Sequence, residues 1–210
     1  MSASSSTPRL WEAVFNEDHH VCAFFQNKDK EFRALLPWIL EGFAAGQKAV
    51  HIVSVKLQER YKRRLTEAGV DVAALEQSGQ LEVIAWPADP HRGILDQEGA
   101  LRMVDHHLNA AREAGYRWTR LIGDMDWVVE DQIRDEDFLS LEARLTEVYV
   151  RHDVWVICAY DLSRFNGSVV LDIMRTHPAA IVGGVLQHNP FYVPMAEMLQ
   201  EIRGKSGLIA

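Results

Sequence analysis

The chain has 210 residues, 22 basic against 30 acidic, for a formal charge of −8 at pH 7; 48% of residues are hydrophobic and 25% charged. Those are globular values and exclude wholesale disorder. The acidity argues against a general nucleic-acid or anionic-membrane binder, because both need a basic face.

The length suits one α/β domain, or at most two small ones, with enough buried surface to fold without a disulfide or metal staple. No apolar run approaches the ~20 residues that span a bilayer. The opening MSASSSTPRLWEAV lacks a basic segment followed by an apolar one, so no secretory signal is visible. Cys22 and Cys158 both sit in apolar runs and read as buried, reduced thiols. The expectation is a cytoplasmic domain over residues 16–203, with a flexible segment at 1–15 and a short tail at 204–210.

In chain order, His20-Val-Cys-Ala-Phe-Phe25 reads as a buried strand. Residues 29–45 carry Phe32, Leu35, Leu36, Ile39, Leu40 and Phe43 at helical spacing, with Gly46 as terminator. Pro37 inside that stretch predicts a kink or a late start. A strand at 48–55 leads to a charged helix at 57–68 closed by Gly69, and a third strand at 81–86 is stopped by Pro87. A helix over 96–114 ends at Gly115, and a fourth strand covers 117–123. The helix at 135–150 shows Phe138, Leu141, Leu145 and Val148 on one face. A fifth strand at 154–160, a helix at 168–176, a sixth strand at 180–186 and a terminal helix at 194–203 complete the chain. Six strands alternating with helices imply βαβ crossovers, hence an α/β three-layer αβα sandwich around a mostly parallel sheet.

In such a sheet, ligands bind beyond the carboxyl ends of the strands. A phosphate cradle after the first strand needs glycines for close backbone approach, but Gln26-Asn27-Lys28-Asp29-Lys30-Glu31 has none. The Gly183-Gly184 pair reads as close packing within a strand. Gly123-Asp124-Met125-Asp126-Trp127 is the densest feature, with two carboxylates at a strand end where an NTPase would hold Mg²⁺. No His/Cys spacing typical of a zinc site appears, and His177 before Pro178 reads as serving a turn. There is no Gly-x-Ser-x-Gly elbow, and mid-strand thiols are poor nucleophiles. Phe25, Trp86, Trp127, Tyr160 and Tyr192 fall at or near strand ends, where aromatics with a few polar anchors would make a small-molecule pocket.

Several motifs are also familiar in order. His20-Val-Cys-Ala-Phe-Phe25, Leu36-Pro37, Gly46-Gln47-Lys48-Ala49, Ser78-Gly79-Gln80-Leu81-Glu82-Val83, Gly123-Asp124-Met125-Asp126-Trp127, Tyr160-Asp161, Arg175-Thr-His-Pro178 and Asn189-Pro190-Phe-Tyr-Val193-Pro194 together resemble the MEDS family, the methanogen/methylotroph DcmR-type sensory domain. The likeness covers about residues 18–200. It implies a RecA/KaiC-like fold without a phosphate loop, acting as a sensor of small organic compounds such as hydrocarbon derivatives. Family members occur beside histidine kinase, DNA-binding or sigma-factor-regulating modules. The implied topology sets the first and fifth strands side by side, with Cys22 near Cys158. Asp124 replaces the family's Glu, Phe25 its Tyr and Asp126 its Ser.

The resulting expectation is a sensory domain with no cofactor, no bound metal and no catalytic turnover, relaying to a separate signalling protein and able to form a homodimer. Its ligand would lie over the carboxyl ends of the central strands. His20, Asp124 and Tyr160 would be polar anchors and Trp127, Phe25 and Trp86 walls, with Met125 and Asp161 also among the ligand-binding residues. The competing readings are a degenerate ATPase-fold interaction module that regulates a kinase or sigma-factor circuit, and a divergent Mg²⁺ enzyme using Asp124 and Asp126.

Overall fold

The computed structural model describes residues 19–86 and 93–206. The expected flexible segment at 1–15 and the stop at Pro87 lie outside them; of the expected tail at 204–210, residues 204–206 instead continue the last helix and the rest lie outside. Seven strands, β1 (His20–Phe25), β2 (Lys48–Val53), β3 (Leu81–Ala85), β4 (Thr119–Asp124), β5 (Val154–Asp161), β6 (Ala179–Val182) and β7 (Val185–His188), form one sheet in the order β3-β2-β4-β5-β1-β6-β7. Every pairing is parallel except β6 with β7. The helices are α1 (Lys28–Ala44), α2 (Gln58–Glu67), α3 (Val72–Gln77), α4 (Gln97–Glu113), α5 (Asp126–Glu130), α6 (Asp135–Tyr149), α7 (Gly167–Thr176) and α8 (Met195–Ser206).

Strand alternation sorts the core into two layers. Val21, Ala23, Phe25, Val53, Ile122 and Ile157 pack under α1, α2 and α3, whereas Cys22, Phe24, Leu121, Val156, Cys158 and Tyr160 pack under α4 to α8. The three-layer α/β sandwich is therefore as read from the sequence, and β1 pairs with β5 in the implied register, Cys22 opposite Cys158.

Two local features differ from the sequence reading. The sixth strand is a hairpin: Gly183 and Gly184, at φ +60° and +82°, turn β6 into β7. Two successive left-handed residues are what a two-residue hairpin turn demands, and glycine supplies them without strain. Helix α1 runs from Lys28 to Ala44 with Pro37 inside it. It buries Phe32, Leu35, Trp38 and Ile39, leaving Leu40 on its exposed side. Gly42 faces Arg120, where a Cβ would sit 2.7 Å from the arginine Cδ. The small residue thus admits the guanidinium beneath the helix, where it donates to the Trp38 carbonyl and the Glu41 carboxylate.

Candidate functional site

The residues singled out from the sequence fall into two groups on opposite faces of the sheet. Trp86, Met125, Trp127 and Tyr160 belong to the layer under α4 to α8, and Phe25 to the layer under α1 to α3. The aromatic residues pack against one another instead of walling an open pocket. Trp86 and Trp127 stack with centroids 3.8 Å apart and planes 11° apart. Tyr160 is enclosed by Phe24, Phe138, Phe165 and His177. Asp161 closes a turn, its Oδ1 accepting from the Ser163 backbone N–H at 2.9 Å and hydroxyl at 2.7 Å. His20 is the first residue of β1, at the amino end of the sheet, so it cannot share a carboxyl-end pocket with Asp124.

The carboxyl-end site is built around Lys28. Asn27 caps α1 by accepting from the Lys30 N–H at 3.0 Å. That fixes the first turn and aims the Lys28 ammonium back over the sheet. There it meets Asp124 Oδ2 at 2.8 Å, Glu31 Oε2 at 2.9 Å and Asp126 Oδ1 at 3.3 Å. Asp124 also accepts from the Asp126 backbone N–H at 3.0 Å, and Arg164 holds Asp126 Oδ2 at 2.8 Å and Glu130 Oε1 at 3.3 Å.

Burial is the largest influence on Lys28, Glu31 and Asp124. It pushes the Glu31 carboxyl up, and with Asp124 and Asp126 beside it the value reaches about 7 despite Lys28. Asp124 is raised by burial too, with Lys28 pulling the other way. Burial alone would lower the Lys28 pKa, but its three carboxylates outweigh that and hold the ammonium charged. A cavity of ≈ 30 Å³ lies between Lys28, Glu31, Asp124 and the rings of Phe32 and Tyr61. That is the room of a single water-sized molecule.

A second polar centre lies at the other end of β1, beneath α6 and α7. His20 from β1, Glu142 from α6, Cys158 from β5 and His177 just after α7 are all fully or almost fully buried, and their ligating atoms lie within 4.8 Å of one another. His20 Nε2 is 3.2 Å from Cys158 Sγ and 3.4 Å from Glu142 Oε2, while His177 Nε2 is 3.2 Å from the same oxygen. On the far side of each ring, His20 Nδ1 is 3.2 Å from Thr146 Oγ1, and His177 Nδ1 is 2.9 Å from the Ile173 carbonyl. The contacts to Glu142 are close but not aligned as hydrogen bonds. Neither Glu142 oxygen, nor His177 Nε2, nor the Tyr160 hydroxyl has an aligned partner among the described residues.

Burial pushes the Glu142 carboxyl up, but the imidazoles of His177 and His20 outweigh it and hold the group down at about 2. His20 is lowered to about 4 by burial and by His177, partly offset by Glu142. Burial and then Glu142 drive the Cys158 thiol well above its ordinary value. Glu142 went unnoticed in the sequence because it sits within the apolar stripe of α6. His177 does bond within its turn, as expected, yet its other nitrogen faces the cluster.

The family model for MEDS, the methanogen/methylotroph, DcmR sensory domain, matches residues 19–178. The chain is 23% identical over 159 residues to the transcriptional repressor DcmR of Methylorubrum extorquens, a match covering 75% of this chain and 57% of that protein. It therefore spans little more than half the repressor's length. Among solved structures, an uncharacterized Pyrococcus horikoshii protein in complex with an unknown peptide superposes with a TM-score of 0.59 at 12% identity, over 80% of this chain and 81% of that one. A KaiC-like protein from Pyrococcus horikoshii OT3 gives 0.55 at 13%, over 77% and 70%. The flagellar accessory protein FlaH from Methanocaldococcus jannaschii gives 0.53 at 14%, over 87% and 82%. At these identities the structures establish a KaiC-like fold and nothing more.

Proposed function

The chain belongs to the MEDS family, and from that premise we propose that it senses a small organic molecule at the carboxyl-end cleft and relays the signal to a separate regulatory protein. The Lys28 cluster carries this reading. Where a phosphate-binding relative of this fold would present backbone N–H groups and a free ammonium, this chain presents three carboxylates already paired with Lys28. A phosphate brought there would displace those carboxylates from their cation and meet their repulsion. A neutral or weakly polar molecule meets no such barrier; the adjoining water-sized cavity, lined by Phe32, Leu57 and Tyr61 together with Arg60 and Arg64, whose guanidinium groups are already paired with Asp29, would have to open to admit it.

Turnover forms no part of the proposal. Asp124 and Asp126, the carboxylates an Mg²⁺ enzyme would use, face Lys28 and Arg164. Signalling then requires only that the ligand prefer one of two conformations, since differential affinity is what shifts a population. A pure interaction module is the second reading. It is favoured by the sheet edge at β7, where Val182, Val185 and Phe191 are 46%, 56% and 59% exposed.

Native mass spectrometry and thermal melts across a panel of small neutral organics, ATP and inorganic phosphate separate the two. The sensor reading expects at least one neutral compound to raise Tm, with no response to ATP or phosphate, and the response lost in Asp124→Asn. A panel without any response, and a purified chain with no organic adduct lost on denaturation, would overturn it in favour of the interaction module.

A further inference from the structure

We propose that His20 Nε2, Glu142, Cys158 Sγ and His177 Nε2 form a four-coordinate site for a divalent transition-metal ion of the zinc type. The site is distinct from the carboxyl-end cleft and independent of the ligand proposed there.

Geometry is the first support. A tetrahedral ion with bonds of ~2.0–2.3 Å holds its ligand atoms about 3.3–3.8 Å apart, the edge being roughly 1.6 times the bond. Three of the edges here are 3.2, 3.4 and 3.2 Å, and the whole set fits within 4.8 Å. Only small shifts are needed to close on an ion.

Proton accounting is the second. His177 Nδ1 lies 2.9 Å from both the Ile173 carbonyl, which can only accept, and the Thr176 hydroxyl, whose own proton goes to that same carbonyl at 2.9 Å, so the ring proton sits on Nδ1. In the neutral ring Nε2 is then a lone pair, and it faces a carboxylate oxygen at 3.2 Å. Two electron-rich atoms at that separation require a proton or a cation between them. A proton would serve that single contact, yet both Glu142 oxygens lack aligned hydrogen bonds in a wholly buried position. A metal ion serves all four groups at once. Buried polar groups without partners are rare in native proteins and call for an explanation of this kind.

Charge is the third. A divalent cation, one thiolate and one carboxylate sum to zero with both imidazoles neutral, which removes the cost of a net charge in a fully enclosed site. Binding would release the Cys158 thiol proton and any proton shared by His177 and Glu142.

The donor set then narrows the ion. One sulfur and two imidazole nitrogens beside one oxygen suit zinc and its first-row neighbours, whereas Mg²⁺ and Ca²⁺ prefer oxygen alone. The outer groups are those of a built metal site. His177 Nδ1 donates to Ile173 O, and His20 Nδ1 lies at 3.2 Å from Thr146 Oγ1, one helical turn beyond Glu142. Such an ion would tie α6 and the end of α7 to the two central strands β1 and β5.

The test uses the full chain. Elemental analysis of the purified protein is expected to find one equivalent of zinc or a neighbouring metal. After chelation, Co²⁺ should bind at one equivalent, with intense tetrahedral d–d bands and a thiolate-to-cobalt charge-transfer band. Cys158→Ala should abolish that band. Should this variant fail to fold, the chelated wild-type chain serves instead, its Tm rising by several degrees with Zn²⁺ and staying unchanged with Mg²⁺. A charge-transfer band that persists in Cys158→Ala would place the metal elsewhere and overturn the proposal. A chelated wild-type chain that shows neither a Co²⁺ spectrum nor a Zn²⁺-dependent rise in Tm would also overturn it.

Discussion

His51 is the clearest place to perturb the core. It sits mid-strand in β2, between Val83 of β3 and Ile122 of β4, wholly buried, and neither ring nitrogen has a hydrogen-bond partner among the described residues. Tyr61 stands edge-on to the ring with centroids 5.3 Å apart. Burial alone lowers its pKa from 6.5 to about 3. The unfolded chain therefore binds a proton that the folded chain refuses throughout that interval. The contribution of His51 to stability is complete above pH 6.5 and is lost as pH falls toward 3. The full gap corresponds to about 5 kcal/mol, and roughly 3 kcal/mol of it has gone by pH 4.5.

Substituting leucine keeps an apolar body of similar size and removes both the orphaned nitrogens and the titration. At pH 8, His51→Leu is expected to gain about 1–3 kcal/mol, the cost of a buried polar group without a partner. At pH 4.5 its advantage over wild type should widen by roughly a further 3 kcal/mol. Urea unfolding of both proteins at the two pH values measures this, with equal m-values confirming that the unfolded states are comparable. The buried His20 also titrates in acid, but it is present in both proteins and cancels in the difference. A difference that stays the same at pH 8 and pH 4.5 would refute the reasoning.

The Lys28 cluster predicts an asymmetry. Lys28→Met should cost about 3–5 kcal/mol at pH 7 because it strands buried carboxylates, and less at pH 5, where Glu31, raised to about 7, is protonated. Asp124→Asn, which leaves Lys28 with Glu31 and Asp126, should cost only about 1 kcal/mol; urea melts of the two variants give the comparison. Trp127→Ala should cost about 3–5 kcal/mol by emptying the stack on Trp86, read by the loss of near-UV circular dichroism and a lower Tm. Gly184→Ala should cost about 1–2 kcal/mol because alanine resists φ +82°, seen as a lower urea midpoint with unchanged far-UV circular dichroism.

What could be read from the sequence followed from continuous local signals. β1 was placed to the residue because His20–Phe25 is an apolar run bounded by polar residues. The β6–β7 hairpin was missed because apolar residues flank the turn on both sides and mask a break marked only by Gly183-Gly184. Helices α3 and α5, six and five residues long, are too short to show a period. The carboxyl-end site was half visible. The loop at Asp124 reads as chemistry, but the glycine-free segment 26–31 argues only against a phosphate cradle, and nothing in its spacing marks Lys28 as the partner of Asp124. Nothing in the spacing could reveal the His20–Glu142–Cys158–His177 cluster, whose members come from four elements and meet only when β1 pairs with β5 and α6 and α7 cover them. Glu142 was hidden further by its apolar neighbours Leu141 and Leu145.

The two polar centres lie at opposite ends of β1 and on opposite faces of the sheet, and that arrangement limits how one could influence the other. β1 is buried along its whole length and hydrogen-bonded to β5 on one side and β6 on the other. Sliding it would break both ladders at once, so the strand is a fixed frame rather than a moving part. The groups free to change partners are on the helices. Lys28, in the first turn of α1, is such a group, whereas Glu142 and His177 would be held to β1 and β5 by the ion proposed above. A ligand that drew Lys28 away from Asp124 would release three buried carboxylates from their shared cation, and the nearest relief is movement of the α1 amino end toward solvent. Under the proposed sensor function, the change passed on would therefore be a shift of helix against an unmoved sheet.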